Sequence, residues 1–500
     1  MSTQKTAGLL AGALLFLVVW LMPTPEGMTT AAQSAAAVAL LMAVWWVTEA
    51  IPIYITAFVP VALFPLLGVL PADQTAHNYG NNYVLMLLAG FFIAKAIELQ
   101  NLHRRIALQI INVFGTSYRR IILSFMIATA ALSMWITNVA VVLLMLPIAL
   151  ALIKQNEERL DADTSDKFSL ALMLGIAYAA SIGGTATLIG TPPNLVLVGI
   201  IGKLFPQAPE ISFFDWMQLG VPLVLIFLPI IWFYLIRYFG ISGNFPNGRD
   251  VIVRELQSLG KMRSGERRVL IIFIMVALGW VFRRNIAIGD FVIPGWSALL
   301  GDYASYVHDS TVAMVGALLL FMIPSGEWKS TAPLLNWKAA ATIPWGVVMI
   351  VGGGYAIAES FQVTGLANWV GQQLAFINQY PMLVILLLVV SLMIFLTEIN
   401  SNTATANIFL PVLAALAIAS QINPLLLMIP ATFACSFAFM LPSGTGTNAV
   451  IFASERVSLT QMARCGLWLN LICVVLLTIT LFLIVVPLMD IQRTLPVWAQ

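Results

Sequence analysis

Residues 397–411 read TEINSNTATANIFLP and lie between the apolar runs LVILLLVVSLMIFL (383–396) and VLAALAIAS (412–420). A helix crosses a bilayer with about 20 residues, and the apolar stretch 381–420 is nearly twice that length, with a carboxylate, three asparagines and several hydroxyls at its centre. The economical reading is a re-entrant hairpin that enters and leaves on one side, its polar patch at the tip. Residues 121–153 repeat the pattern around SMWITNVAVVLLMLP (133–147). Aligning Pro147 with Pro411 pairs Ser133 with Thr397, Thr137 with Ser401, Asn138 with Asn402 and Val139 with Thr403.

Two further apolar runs carry a mid-run break. GTPPN (190–194) interrupts 168–202, and PSGTGTN (442–448) interrupts 424–454. Gly190 to Asn194 matches Gly444 to Asn448, and the polar loop KQNEERLDADTSDK (154–167) absorbs the difference in spacing from the hairpin pair. Both halves thus order a hairpin before a broken helix.

Composition agrees with a polytopic membrane protein. The 500 residues are 60% hydrophobic and 9% charged, with a mean hydropathy of +0.94, and apolar runs recur from the retained first segment (7–22) to the last (465–487). A model with the amino terminus inside, about 11 spans and two re-entrant hairpins puts nineteen lysines and arginines inside. Four remain outside, Lys203, Arg283, Arg284 and Arg493, and Lys95 falls within a span. That asymmetry obeys the positive-inside rule. Five crossings separate the hairpins, so their mouths open on opposite sides and the halves form an inverted repeat. The expected organisation is first-half scaffold spans (1–120), first hairpin and broken helix (121–210), second-half scaffold spans and cytoplasmic linker (211–360), then second hairpin, broken helix and final span (361–500).

Inverted repeats with polar breaks at matching places are the sequence sign of a secondary transporter with a midplane site. Unwound backbone at that depth must be buried in protein or line a wet cavity. Helix starts at such breaks offer free N–H groups and a positive dipole end to an anion. Small hydroxyls and amides supply oxygens for a hard cation such as Na⁺ and donors for a carboxylate. Neither tip and neither break contains Lys or Arg, so a bound anion needs its charge offset by dipoles and co-bound cations. The expectation is cation-coupled anion transport.

Other features point nowhere else. Cys435, Cys465 and Cys473 form no CxxC pair, so neither a disulfide framework nor a metal cluster is indicated. His77, His103 and His308 share no spacing and read as solvated loop residues. A net charge of +2 gives no case for a nucleic-acid partner. Gly352 to Gly354 lack the Lys-Ser/Thr of a phosphate loop and read as close helix packing. No nucleotide fingerprint or Ser/His/Asp set suggests an enzyme, and no cofactor is expected.

The tip signatures Thr137-Asn138-Val139 and Ser401-Asn402-Thr403, the Gly-Thr-Pro-Pro-Asn break and the early WWVTEAIP (45–52) together resemble the divalent anion/sodium symporter family. That family includes sodium–dicarboxylate, citrate and sulfate cotransporters. The resemblance implies an all-α homodimer in the plasma membrane, with scaffold domains at the interface and a transport domain that moves as an elevator. It implies one Na⁺ among Ser133, Thr137, Asn138 and Gly190, and a second among Thr397, Asn400, Asn402 and Gly444. A small dianionic substrate would contact Asn138, Thr191, Ser401, Asn402, Thr403 and Thr445. Two departures from the family pattern stand out: Val139 replaces a threonine, and Gly446-Thr447 replaces Pro-Pro. The leading expectation is Na⁺-driven import of C4-dicarboxylates. Sulfate or citrate symport, Na⁺-independent exchange and an anion channel are the alternatives.

Overall fold

The computed structural model describes residues 3–113, 117–157, 162–244, 248–288, 291–326 and 332–499. Arg159 and Lys329, both assigned inside from the sequence, lie outside these residues. The described chain is mostly helical, and nine of its helices are long and apolar enough to cross a membrane. Two short strands, β1 (Ile286–Ile288) and β2 (Phe291–Ile293), pair antiparallel.

The helices that position the site are α1 (Thr3–Leu21), α2 (Thr30–Thr48), α3 (Asn82–Leu99) and the amphipathic α4 (Leu102–Val113). The first hairpin follows as α5 (Tyr118–Ser133) and α6 (Asn138–Glu157), joined by only four residues. The first broken helix comprises α7 (Ala162–Gly183) and α8 (Pro192–Leu204). Next come α9 (Phe213–Tyr238), α10 (Ser264–Val281), α11 (Asp309–Met322) and α12 (Trp345–Thr364). The second hairpin is α13 (Met382–Ile399) and α14 (Asn402–Ala419), joined by Asn400 and Ser401. The second broken helix is α15 (Leu425–Cys435) and α16 (Gly446–Phe452), and α17 (Leu459–Thr480) follows.

Both breaks begin earlier than the motifs that betray them. After α7 the chain makes a single 3₁₀ turn at Gly184–Ala186 and runs extended through Thr187 before Pro192 starts α8. Proline at a helix start loses nothing, because its missing N–H would be unpaired there anyway. Gly183 makes the close crossing possible: a β-carbon there would fall 2.4 Å from the Ala130 backbone. The second break opens at Ser436, beyond α15. There the Glu398 carboxylate accepts from the backbone N–H groups of Phe439, Met440 and Leu441 at 2.6, 2.9 and 3.0 Å, which diverts those donors from helical bonding.

Buried break carbonyls must find partners, and one asparagine serves each break. Asn194 Nδ2 donates to the Thr187 and Gly184 carbonyls at 2.7 and 3.3 Å. Asn448 Nδ2 donates to Leu441 and Ala438 at 3.1 and 3.0 Å. The two halves therefore solve the same problem with matched residues.

The three glycines of α12 pack three neighbours. β-carbons at Gly352, Gly353 and Gly354 would collide with Tyr79, Ala57 and Asn407 respectively. Small residues let helix backbones approach in a membrane, as the sequence suggested. The outer surface exposes large apolar side chains such as Leu225, Phe233, Leu388 and Leu483, which suits contact with lipid.

Candidate functional site

Each hairpin tip is built around an asparagine that opens a helix. Ser133, the last residue of α5, is fully buried, and its hydroxyl lies 2.6 Å from Asn138 Oδ1 and 2.8 Å from the Ala180 carbonyl. Thr397 in α13 is equally buried, with its hydroxyl 2.7 Å from Asn402 Oδ1 and 2.7 Å from the Cys435 carbonyl. In both tips one hydroxyl proton faces two oxygens, so oxygen outnumbers donors.

The second tip makes that imbalance plain. One terminal atom of the Asn402 amide sits 3.1 Å from the Gly444 carbonyl, 3.1 Å from the Cys435 carbonyl and 2.7 Å from Thr397 Oγ1. With its nitrogen turned inward, Asn402 donates to all three. With its oxygen inward, four oxygens converge around the single Thr397 hydroxyl proton, an arrangement that suits a hard cation. The first tip is similarly tight. A β-carbon at Gly184 would fall 2.5 Å from Asn138 Oδ1, and one at Gly190 would fall 2.4 Å from the Gly184 carbonyl oxygen. Only glycine leaves room for carbonyls beside that amide.

The tips and breaks converge on one cavity of about 820 Å³. Thr137, Asn138, Gly190, Thr191, Ser401, Asn402, Thr403, Gly444 and Thr445 all line it. Ser133 and Thr397 lie beneath, against the asparagines. Asn400 stands apart from the cavity lining, with its side-chain oxygen accepting from the Ser401 N–H at 2.9 Å.

Thr191, Ser401 and Thr445 occupy the N-cap positions of α8, α14 and α16, and none caps its own helix with its side chain. N-cap hydroxyls ordinarily accept from the second or third helical N–H. Here the first-turn N–H groups of α14 and α16 are left for a ligand, whereas α8, which starts with Pro192 and Pro193, offers its positive dipole end without those two donors.

Across the cavity lie residues that sequence reading did not place there. Tyr54, Lys95, Glu98, His103 and Thr342 line the same space, and Lys95 Nζ is 2.9 Å from Glu98 Oε1. Their signal was available: Phe91, Ala94, Lys95 and Glu98 follow the three-and-four spacing of one helix face. His103, expected to be a solvated loop residue, is buried on α4. Burial pushes its imidazole below the ordinary histidine range, against the pull of Glu98. His308 caps α11 by accepting from the Ser310 N–H at 3.1 Å, while His77 is exposed.

Glu398 is 2% exposed, beside the second tip. Besides the three backbone donors it accepts from Asn470 Nδ2 of α17 at 2.7 Å. Its counterpart by hairpin alignment in the first half is Met134, so this carboxyl group belongs to the second tip alone.

Residues 3–490 match the model of the sodium:sulfate symporter transmembrane region. The chain is 42% identical over 499 residues to the sodium-dependent dicarboxylate transporter SdcS of Staphylococcus saprophyticus, covering 98% of this chain and 93% of that protein. It is 40% identical over 504 residues to the protein of the same name from Staphylococcus aureus strain MRSA252, covering 99% and 94%. Two solved transporters share the fold at low identity. Neisseria gonorrhoeae MtrF aligns with a TM-score of 0.60 at 11% identity over 97% of this chain and 96% of its own. Alcanivorax borkumensis YdaH aligns with a TM-score of 0.52 at 16% identity over 82% and 87%. With a family match along nearly its whole length and two relatives at 40% identity or more, this chain belongs to the sodium:sulfate symporter family of membrane transport proteins.

Proposed function

We propose that the protein is a secondary active transporter that couples inward movement of Na⁺ to uptake of a C4-dicarboxylate such as succinate, malate or fumarate. One observation carries the site: two amide-bearing tips and the starts of the two broken-helix second halves meet in one cavity, and no basic side chain lies among them. A dianion there needs counter-charge. Each helix terminus offers only about half a charge, and with its amide oxygen inward Asn402 would join the Thr397 hydroxyl and the Gly444 and Cys435 carbonyls in a set that suits a cation. The names of the SdcS relatives fit this reading.

In this account one Na⁺ is held by Ser133, Thr137, Asn138 and Gly190, and a second by Thr397, Asn400, Asn402 and Gly444. Substrate rests on Asn138, Thr191, Ser401, Asn402, Thr403 and Thr445. The hairpins are re-entrant and inverted, among about 11 spans, with the amino terminus cytoplasmic in the plasma membrane. The protein works as a homodimer whose hairpins and broken helices travel as an elevator against the scaffold. Such travel must break contacts between α8 and α12: the Tyr355 hydroxyl bond to the Leu195 carbonyl at 2.6 Å and the Lys203–Glu359 ion pair at 3.1 Å.

Labelled-succinate uptake into proteoliposomes, with and without an inward Na⁺ gradient and with sulfate and citrate as competitors, tests the function. Succinate uptake that needs the gradient supports it. Uptake that ignores Na⁺ but requires internal dicarboxylate makes the protein an exchanger.

A further inference from the structure

We infer that Lys95 forms a second, transient carboxylate-binding station in the cavity wall, which receives the dicarboxylate as it leaves the hairpin tips toward the cytoplasm. This rests on the function and orientation proposed above.

The station is placed by α3. Gly90 packs on Ile189 of the first break, where a β-carbon would lie 3.4 Å from Ile189 Cγ2. From that level Phe91, Ala94, Lys95 and Glu98 run down one face of α3 along the cavity. At 1.5 Å per residue, Lys95 stands about 7.5 Å further along the helix than Gly90. Among the described residues it is the one lysine or arginine in the cavity lining. A space of this volume would accommodate a drug-sized ligand, so a small dianion leaving the tips has a distance to cover before open water. The first full positive charge on that route is Lys95.

Glu98 makes the station reversible. The Lys95 side chain is 23% exposed, and its partner Glu98, three residues further along α3, is 43% exposed. A departing carboxylate can displace Glu98 from the ammonium, because the better-exposed glutamate regains water as it lets go. Once the substrate moves on, Glu98 recaptures Lys95 and keeps it from trapping the anion. The exchange transfers no proton and leaves net charge unchanged.

A scaffold residue that faces the tips only from the cytoplasmic side must act on one side alone. The test measures labelled-succinate KM at saturating Na⁺ in right-side-out and inside-out membrane vesicles. Lys95→Met should raise the cytoplasmic-side KM about three- to fivefold, the worth of one partly exposed charge contact. The external KM should stay within twofold. Lys95→Arg should restore the cytoplasmic value, and Glu98→Gln should lower it by freeing the ammonium. An unchanged cytoplasmic KM in Lys95→Met, or an equal rise on both faces, overturns the station while leaving Na⁺-driven transport standing. If Lys95→Met fails to reach the membrane, Glu98→Gln decides alone, and an unchanged or raised cytoplasmic KM overturns it. Wild-type vesicles that move no succinate under a Na⁺ gradient would remove the proposed function and the station with it.

Discussion

Gly446 lies directly against Val139, so that a β-carbon at position 446 would fall 2.5 Å from Val139 Cγ2. Both belong to the departures from the pattern that the resemblance implied, one on the first tip and one on the second break. The two residues pack on one another: the Val139 side chain occupies space that any larger residue at 446 would need.

Gly446→Ala alone should therefore destabilise the protein by about 1–3 kcal/mol through overpacking. Adding Val139→Ala should recover most of that loss. A double-mutant cycle on thermal stability in detergent measures the coupling, expected to exceed about 0.5 kcal/mol. Additive effects would mean that the two residues do not meet.

The asparagines at the tips carry more than packing. Asn138→Ala and Asn402→Ala each remove an amide oxygen from a hydroxyl and carbonyl cluster, and each should abolish Na⁺-dependent succinate uptake while the protein still purifies as folded material. Normal transport by either variant would remove that residue from the site.

Glu398 holds the second break in shape. Its carboxylate accepts from three successive backbone N–H groups and from Asn470. Glu398→Gln keeps the size but turns an NH₂ group toward those donors, leaving buried groups unpaired at about 1–3 kcal/mol each. Thermal unfolding should move down by several degrees, and the Na⁺ concentration for half-maximal uptake should rise. A variant as stable as the parent would show that the carboxylate is dispensable to the break.

Much of this candidate site was legible in the sequence because a membrane makes polar residues expensive. Asn138, Asn402, Gly190 and Gly444 stand out against apolar flanks, and the hairpin and break positions followed from run length. What stayed hidden was backbone. The carbonyls of Ala180 and Cys435 complete the two tips, and nothing in those residue types announces it. The breaks began earlier than GTPPN and PSGTGTN because a close crossing at Gly183 and the donors drawn to Glu398 ended the helices upstream. The cavity wall on α3 was missed for a different reason: Lys95 and Glu98 look like any ion pair spaced three residues apart until the tips are seen across from them. His103 likewise belonged to a run that reads as a polar linker but folds as a buried helix face.

Thr397 separates cation binding from substrate binding. Thr397→Val preserves volume and removes one oxygen from the cluster around Asn402. The Na⁺ concentration for half-maximal uptake should rise several-fold, while uptake at saturating Na⁺ changes little. Equal loss at low and saturating Na⁺ would assign Thr397 to structure instead.

The central claim is that cations supply the charge that the tips and breaks lack. Equilibrium binding of labelled succinate to purified protein, titrated in sodium and in choline at matched ionic strength, tests it most directly. Affinity should rise steeply with Na⁺, and by linkage succinate should raise the affinity for Na⁺ by the same factor. Equal succinate affinity in sodium and in choline would contradict the account and leave the dianion balanced by the protein alone.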